Sequence, residues 1–315
     1  MRSPSLLLFF PDMHVKILGS AAGGGFPQWN CACKNCRRLR AGTFAGTPRA
    51  QAQLALATAP GTWTLINASP DLRAQIEATP ELWPQDTARD SPIRDVVLTG
   101  AEVDQVLGLL LLREFHSFRI HATAAVRKIL VEDNTLFGVL ARFPGQISWN
   151  DMSPARPFSV GSARLEVLPL PGTFPGFVRA SRVTGFNSSE AVIGLWIAPE
   201  SGGKALMFIP GAACIPDPVF ERLKASDVLL FDGTFWSDGE PTRIPGVSRT
   251  ARQMGHLPIS GAGGSLERLA KLTRPRKIFI HINNTNPILD EESPEYRMVG
   301  EAGWEVARDG MEIAL

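Results

Sequence analysis

The sequence predicts an α/β fold, and three observations carry the prediction. Short apolar runs bounded by Gly, Pro, Asn and Asp recur along the chain, as buried strands do. Segments with helical spacing stand between several of these runs. The order also repeats. Paired strands followed by strand–helix units occur twice, which suggests a duplicated α/β architecture.

In chain order, HVKILGS (14–20), QLALAT (53–58) and WTLINAS (63–69) read as strands, and LRAQIEA (72–78) reads as a helix. IRDVVLT (93–99) is a buried strand, VDQVLGLLLLR (103–113) a buried helix with Gly108 inside it, and FRIHA (118–122) the next strand. A helix is expected over 124–137. Strands follow at 165–169, 191–198 and 205–210, then a helix at 218–224 and a strand at 228–231. The last elements are a helix at 266–272, the strand KIFIHI (277–282) and one long strand over 305–315. Long Gly- and Pro-marked loops at 23–28, 237–246 and 258–264 follow strands, and loops of that length inside a domain are usually functional.

Composition excludes several classes. Lys plus Arg (32) nearly balance Asp plus Glu (31), so bulk charge draws the chain to neither nucleic acid nor a membrane surface. The apolar stretch LLLFF near the start is shorter than the ~7–15 residues of a signal-peptide core and the ~20 of a membrane span. The strand pattern begins directly after Met13. Residues 1–12 are therefore expected to be a disordered tail or start-site extension, residues 13–315 a single domain, and the protein cytoplasmic, with no membrane span.

Three of the four cysteines are packed as NCACKNC, at Cys31, Cys33 and Cys36, and Cys214 stands alone. In a reducing compartment such clustering favours metal over disulfide. Three thiolates supply most of a closed, tetrahedral, structural Zn²⁺ site, whose fourth ligand is not in this stretch. The alternative is three reduced thiols in a loop. The preceding GSAAGGG lacks both the G-x-G-x-x-G spacing and a P-loop Lys, so it is not read as a nucleotide site.

A second candidate lies at the carboxyl end of the strand 93–99, where α/β proteins place chemistry. The turn there carries Glu102, Asp104 and Gln105, with no histidine. A strand, a glycine-rich loop with C-x-C-x-x-C, then NASPDLRAQI and TGAEVD before a helix together resemble the metallo-β-lactamase superfamily. The likeness narrows through LGSAAGGGFPQWNCACKNC, FDGTFW, MGHLPISG and IHINNTNPILDEESPE, which resemble the pyrroloquinoline quinone (PQQ) biosynthesis protein B family from Met13 to Leu315.

The resemblance implies an αββα sandwich of two mixed sheets flanked by helices. It also implies a role in making PQQ from a peptide precursor carrying Glu and Tyr, by Fe(II)- and O₂-dependent hydroxylation of the tyrosine ring. The alternative is a non-catalytic carrier of PQQ or its precursor to the periplasm. Partners implied are the precursor peptide or a Glu-Tyr-derived intermediate, with other PQQ-pathway proteins. The exposed GGGFPQWN loop beside the zinc offers a surface for a homodimer. Nucleic acid is not an expected partner.

Aligned on the aspartate of the superfamily's H-x-H-x-D-H, Gly100 and Glu102 replace the first two histidines, Asp104 is kept, and Gln105 replaces the last. Pro210-Gly211 stand near the bridging aspartate. By this resemblance Asp104, Asp232 and His281 hold an active-site metal, Fe²⁺ or another divalent ion, with Glu102 and Gln105 as weaker candidates. A carboxylate–imidazole set suits iron or manganese at least as well as zinc. His256 corresponds to a loop histidine that moves protons or orients substrate, and Asp104 is the other expected catalytic residue. Asn284 stands where a related phosphodiesterase has the fourth structural-zinc ligand; that ligand is Asn284, a water or another residue. Each of these side chains also has an ordinary structural reading: a helix cap for Asp104, loop-amide bonding for Asp232, and carbonyl or local bonding for the histidines.

Overall fold

The structure, a computed structural model, describes residues 13–315 apart from positions 86, 88 and 155. The segment expected to be a tail or start-site extension lies outside the described residues. The first half of the chain builds β1 (His14–Gly19), β2 (Gln53–Ala59), β3 (Thr62–Ile66), β4 (Ile93–Val97), β5 (Phe118–Thr123) and β6 (Ile147–Met152). The second builds β7 (Phe158–Val160), β8 (Ala163–Leu170), β9 (Val192–Pro199), β10 (Leu206–Ile209), β11 (Val228–Asp232), β12 (Arg276–Ile280) and β13 (Trp304–Val306). The last strand, β14 (Glu312–Ala314), returns to pair with β1.

The result is two seven-stranded sheets, ordered β14-β1-β2-β3-β4-β5-β6 and β13-β12-β11-β10-β9-β8-β7. In each, an antiparallel part passes into a parallel part, from β3 onward in the first and from β10 onward in the second. Parallel sheets must be covered on both faces, and the strand sequences show how. In β11, Val228 and Leu230 join the apolar layer between the sheets, while Leu229 and Phe231 face the outer layer of the second sheet. Period-two alternation thus sends one continuous apolar run into two cores. The eight α-helices among the described residues are α1 (Lys34–Arg40), α2 (Leu72–Glu77), α3 (Val103–Val106), α4 (Ala124–Lys128), α5 (Ala180–Val183), α6 (Asp217–Lys224), α7 (Ser265–Arg268) and α8 (Pro294–Glu301). Residues of α2, α3 and α4 cover the first sheet and residues of α6, α7 and α8 the second, which completes the αββα sandwich.

Several expected elements differ. The expected strand 305–315 is two strands in different sheets, because the chain reverses through Gly310 in a left-handed conformation (φ 83°). The expected helix 103–113 is one α turn followed by a 3-10 segment, Leu107–Arg113. Gly108 explains the tight fit there, since a Cβ would stand 2.3 Å from the Ser69 carbonyl oxygen. The expected helix 124–137 passes from α4 through a π turn, Ile129–Asp133, into a 3-10 segment, Thr135–Ala141. Helices α1, α5 and α8 and strands β6 and β7 were not expected. No helix among the described residues is long and apolar enough to cross a membrane.

Candidate metal centres and cavity

The parallel strands of both sheets end on the same edge of the sandwich, and a cavity of about 560 Å³ opens there. Asp232 is the last residue of β11 and is fully buried. Its Oδ2 accepts from the Ala212 amide (3.1 Å) and its Oδ1 from the Thr234 amide (3.0 Å). The loop-amide role expected of Asp232 is therefore real, and the carboxylate still faces His256. Parallel register sets Asp232 beside Ile280, so His281 emerges one residue past the end of β12, next to that carboxylate. His281 has φ 59°, a left-handed conformation that costs a non-glycine residue about 1–3 kcal/mol. Such a cost persists only where surrounding contacts hold the residue. Here Thr234 Oγ1 donates to the His281 carbonyl (2.9 Å) and lies 2.8 Å from its Nδ1.

Across the cavity, Asp104 projects from the first turn of α3, and its Oδ2 lies 3.0 Å from His281 Nε2. It does not cap the helix; the cap position is Glu102, whose side chain makes no capping bond. His256 follows the left-handed Gly255 (φ 90°), and its Nδ1 is 3.0 Å from Asp232 Oδ2. The two imidazoles stack at 5.5 Å between centroids, and Phe235 meets His256 edge-on. Thr234 is the hub: its hydroxyl is 2.6 Å from Asp232 Oδ1 and 3.1 Å from His256 Nδ1, besides its contacts to His281.

Ligand-type atoms of Asp232, His256 and His281 all lie within 4.8 Å of one another. This grouping differs from the expected set of Asp104, Asp232 and His281 with His256 outside it. Asp104 stands one contact further out, on His281, and Glu102 belongs to neither. Donor atoms about 2.1 Å from one ion and at right angles stand about 3 Å apart. The Asp104–His281 and Asp232–His256 separations both match that value, so each pair has the spacing of neighbouring ligands on an ion. Burial alone would raise both aspartates, yet the adjacent imidazoles hold Asp104 and Asp232 below the ordinary carboxylate value. Burial works against a charged His256, but Asp232 outweighs it and pulls that imidazole up. Glu102 is pushed up by burial and by Asp104.

Gln105 lines the cavity, but its buried Oε1 has no hydrogen-bond partner among the described residues and would meet a Cβ on Gly100 at 2.5 Å. Pro210, Gly211, Asn283 and Arg249 also line the cavity. Thr234 was not anticipated. Its signal was available, as a hydroxyl residue two positions after a strand-end aspartate can fold back on that carboxylate.

The second centre is local. Cys31, Cys33 and Cys36 offer sulfurs within 4.8 Å of one another, and sulfurs about 2.3 Å from one zinc stand about 3.8 Å apart. Cys33 caps α1, its sulfur accepting from the Cys36 amide. The Asn284 side-chain amide faces all three sulfurs, with Nδ2 at 3.0 Å from Cys31, 3.5 Å from Cys33 and 3.4 Å from Cys36. It faces the three sulfurs through its NH2 group, a donor, and would have to turn its Oδ1 to them to serve as a metal ligand. The Asn35 amide donates to the carbonyls of Asn284 and Asn286, which ties the cysteine loop to the segment carrying His281. Burial pushes the Cys36 thiol up to about 11, so a cation is what would bring it to thiolate. Cys214 is exposed and belongs to neither centre.

Comparison with known proteins agrees with this architecture. A β-lactamase superfamily domain matches residues 62–282. The coenzyme PQQ synthesis protein B of Azotobacter vinelandii is 44% identical over 308 residues, covering 96% of this chain and 100% of that protein. Its counterpart from Nitrosococcus oceani is 42% identical over 311 residues, with 96% and 100% covered. The crystal structure of Zn²⁺-bound PqqB from Methylobacterium extorquens superposes with a TM-score of 0.89 at 39% identity, covering 96% of this chain and 100% of that one. A diphosphatase of the PhnP family shares the fold at a TM-score of 0.66 and 17% identity, with 96% and 97% covered. With two sheets in one sandwich, a metal-type cluster at their common edge and full-length likeness above 40%, the chain belongs to the coenzyme PQQ synthesis protein B family of the β-lactamase superfamily.

Proposed function

We propose that this PQQ biosynthesis protein is an Fe(II)- and O₂-dependent hydroxylase of the tyrosine ring of a Glu-Tyr precursor. The observation that carries the reading is the pair of histidines and one carboxylate, His256, His281 and Asp232, gathered on one cavity wall. Two histidines and a carboxylate with open positions are the ligand set of non-haem iron oxygenases. Bound there, Fe(II) would supply O₂ activation; with a two-electron reductant, one oxygen atom enters the ring and the other leaves as water.

The chain's own residues do the rest. His281 and Asp232 would hold the metal in either assignment of His256, and Asp104, 3.0 Å from His281 Nε2, would be the further ligand where His256 moves the proton. Thr234 would fix the orientation of both imidazoles through their Nδ1 atoms. Phe235, Val103 and Met254 would line the ring's approach and exclude water. His256 has two assignments, ligand or proton acceptor for the ring hydrogen, and metal content separates them. His256→Ala protein that loses active-site iron makes it a ligand; normal iron with slow turnover makes it a proton-transfer group.

We further propose a structural Zn²⁺ on Cys31, Cys33 and Cys36, with Asn284 turned to place its Oδ1 at the fourth corner; the Zn²⁺ of the Methylobacterium relative supports a zinc-binding chain. A second functional reading, a carrier of PQQ or its precursor, is favoured by Gln105 and by Pro210-Gly211, where neutral groups replace metal ligands. Product analysis decides. Oxygenated dipeptide formed only by iron-loaded protein supports the hydroxylase. Tight PQQ binding with no product, iron being bound, supports the carrier.

A further inference from the structure

The two metal-type centres meet in one short segment, residues 281–286. His281 opens it and, with Asn283, lines the cavity, while Asn284 turns its side-chain amide to the three cysteine sulfurs. The segment is tied on both sides. Toward the cavity, the Asn283 backbone amide donates to the Thr234 carbonyl (3.1 Å). Asn286 Nδ2 donates to the carbonyls of Gly233 (2.9 Å) and Thr234 (3.3 Å). Toward the cysteines, Asn35 Nδ2 donates to the carbonyls of Asn284 (3.2 Å) and Asn286 (3.1 Å). Asn35, Asn284 and Asn286 are all buried, and Asn35 stands between Cys33 and Cys36 in the first turn of α1. Whatever fixes the cysteine loop therefore fixes Asn35.

Coupling between two sites needs an element with two arrangements that both sites bias. The Asn284 side-chain amide is such an element. Here its NH2 donates to all three sulfurs; an ion held by those sulfurs turns the NH2 away, since only Oδ1 has a lone pair to offer. Zinc would thus join the cysteine loop and the 281–286 segment into one rigid unit. The benefit falls on His281, whose left-handed backbone (φ 59°) persists only where its neighbours hold it. A cavity ion that finds His281 already held pays less to order it, which is positive cooperativity.

We propose that zinc on the cysteines raises metal affinity in the cavity, with Asn35 and Asn284 as the positioning residues that carry the effect to His281. The inference rests on the zinc reading of the cysteine centre and holds for either functional reading of the cavity. By linkage, the cavity ion raises zinc affinity by the same factor. The expected factor is about tenfold, the lower end of what an orienting partner contributes to a metal site.

Mn²⁺ is the probe, because it favours oxygen and nitrogen ligands over thiolates. Its electron paramagnetic resonance signal separates free from bound ion. Full-length protein with its cysteine zinc should bind Mn²⁺ about tenfold more tightly than the same protein stripped of zinc. Asn35→Leu removes both donors and no ligand, so it should keep its zinc yet bind Mn²⁺ as weakly as the zinc-free wild type. Zinc titrations with and without Mn²⁺ should return the same factor in wild type and none in Asn35→Leu, a reciprocity that mere loss of stability does not produce. Where the zinc-free protein unfolds, zinc-loaded wild type against zinc-loaded Asn35→Leu decides. Equal Mn²⁺ affinity with and without zinc, or undiminished affinity in Asn35→Leu, would overturn the proposal and leave the zinc reading standing. Zinc content equal in wild type and Cys33→Ser would sink the zinc reading, and the proposal with it.

Discussion

The two centres of this chain are built in opposite ways. The cysteine centre takes three donors from six consecutive positions, 31 to 36, and only Asn284 comes from afar. The cavity centre takes each donor from a different element: Asp104 from the first turn of α3, Asp232 from the end of β11, His256 from the long loop beyond it, and His281 just after β12. A local centre needs only a correct turn. A distributed one needs both sheets in register, and a single misplaced strand end removes it. The first centre is therefore suited to holding structure, and the second depends on structure that is already held.

The largest expected effects come from removing one donor at each centre. Cys33→Ser should lose zinc and melt at lower temperature, because metal binding at such a site is folding free energy. His281→Ala should keep its zinc and its melting temperature to within a few degrees while losing iron. Inductively coupled plasma analysis with thermal melts checks both. If His281→Ala bound iron normally, the ligand assignment would be wrong.

Proton release should differ as well. At the cysteine centre, zinc must displace thiol protons, including that of Cys36, held at about 11 by burial. At the cavity centre the main proton to leave is on His256, raised by Asp232. Log affinity should thus climb more steeply with pH for zinc than for iron, over pH 6 to 8 by competition titration. In metal-free protein the Asp232–His256 pair has its own window. The lowered Asp232 contributes stability present above about pH 3.9, the value in the unfolded chain, and lost as pH falls through its folded value. The raised His256 contributes stability present below about pH 6.5 and lost as pH rises through its folded value. Urea melts of the metal-free wild type and Asp232→Asn should therefore differ most between those limits and converge in strong acid.

Smaller effects probe the supporting contacts. Thr234→Val should weaken iron binding about 10–100-fold, as loss of an orienting partner does, and Thr234→Ser should restore most of it. Zinc content should not change in either. Gln105→His should tighten metal binding about tenfold if the new imidazole reaches the ion. The Gln105 side chain is packed against the Gly100 backbone, so the new imidazole reaches the ion only by turning away from it.

The contrast between the centres also explains what the sequence disclosed. C-x-C-x-x-C is readable because its chemistry lies along the chain. The strand ends carrying Asp104, Asp232 and His281 were visible as polar residues closing apolar runs. Their grouping was not, because it depends on which strands neighbour each other. Thr234 hid for the same reason: its hydroxyl gains meaning only when His256 and His281 arrive beside it. The two-sheet architecture was legible from strand runs and family resemblance. The split of 305–315 into β13 and β14 was missed because both pieces are short and apolar, and the Arg308-Asp309-Gly310 turn alone divides them. Strand β6 was missed because an edge strand reading ISWNDM keeps little apolar pattern. Helix α8 had a readable start, Ser293 capping with Pro294 in the first turn.

The most direct test of the central claim is mass spectrometry of L-glutamyl-L-tyrosine incubated with iron-loaded protein, O₂ and reductant. The account predicts a gain of one oxygen mass per event on the tyrosine ring with wild type and none with His281→Ala. Unchanged dipeptide from wild-type protein with iron demonstrably bound would contradict it.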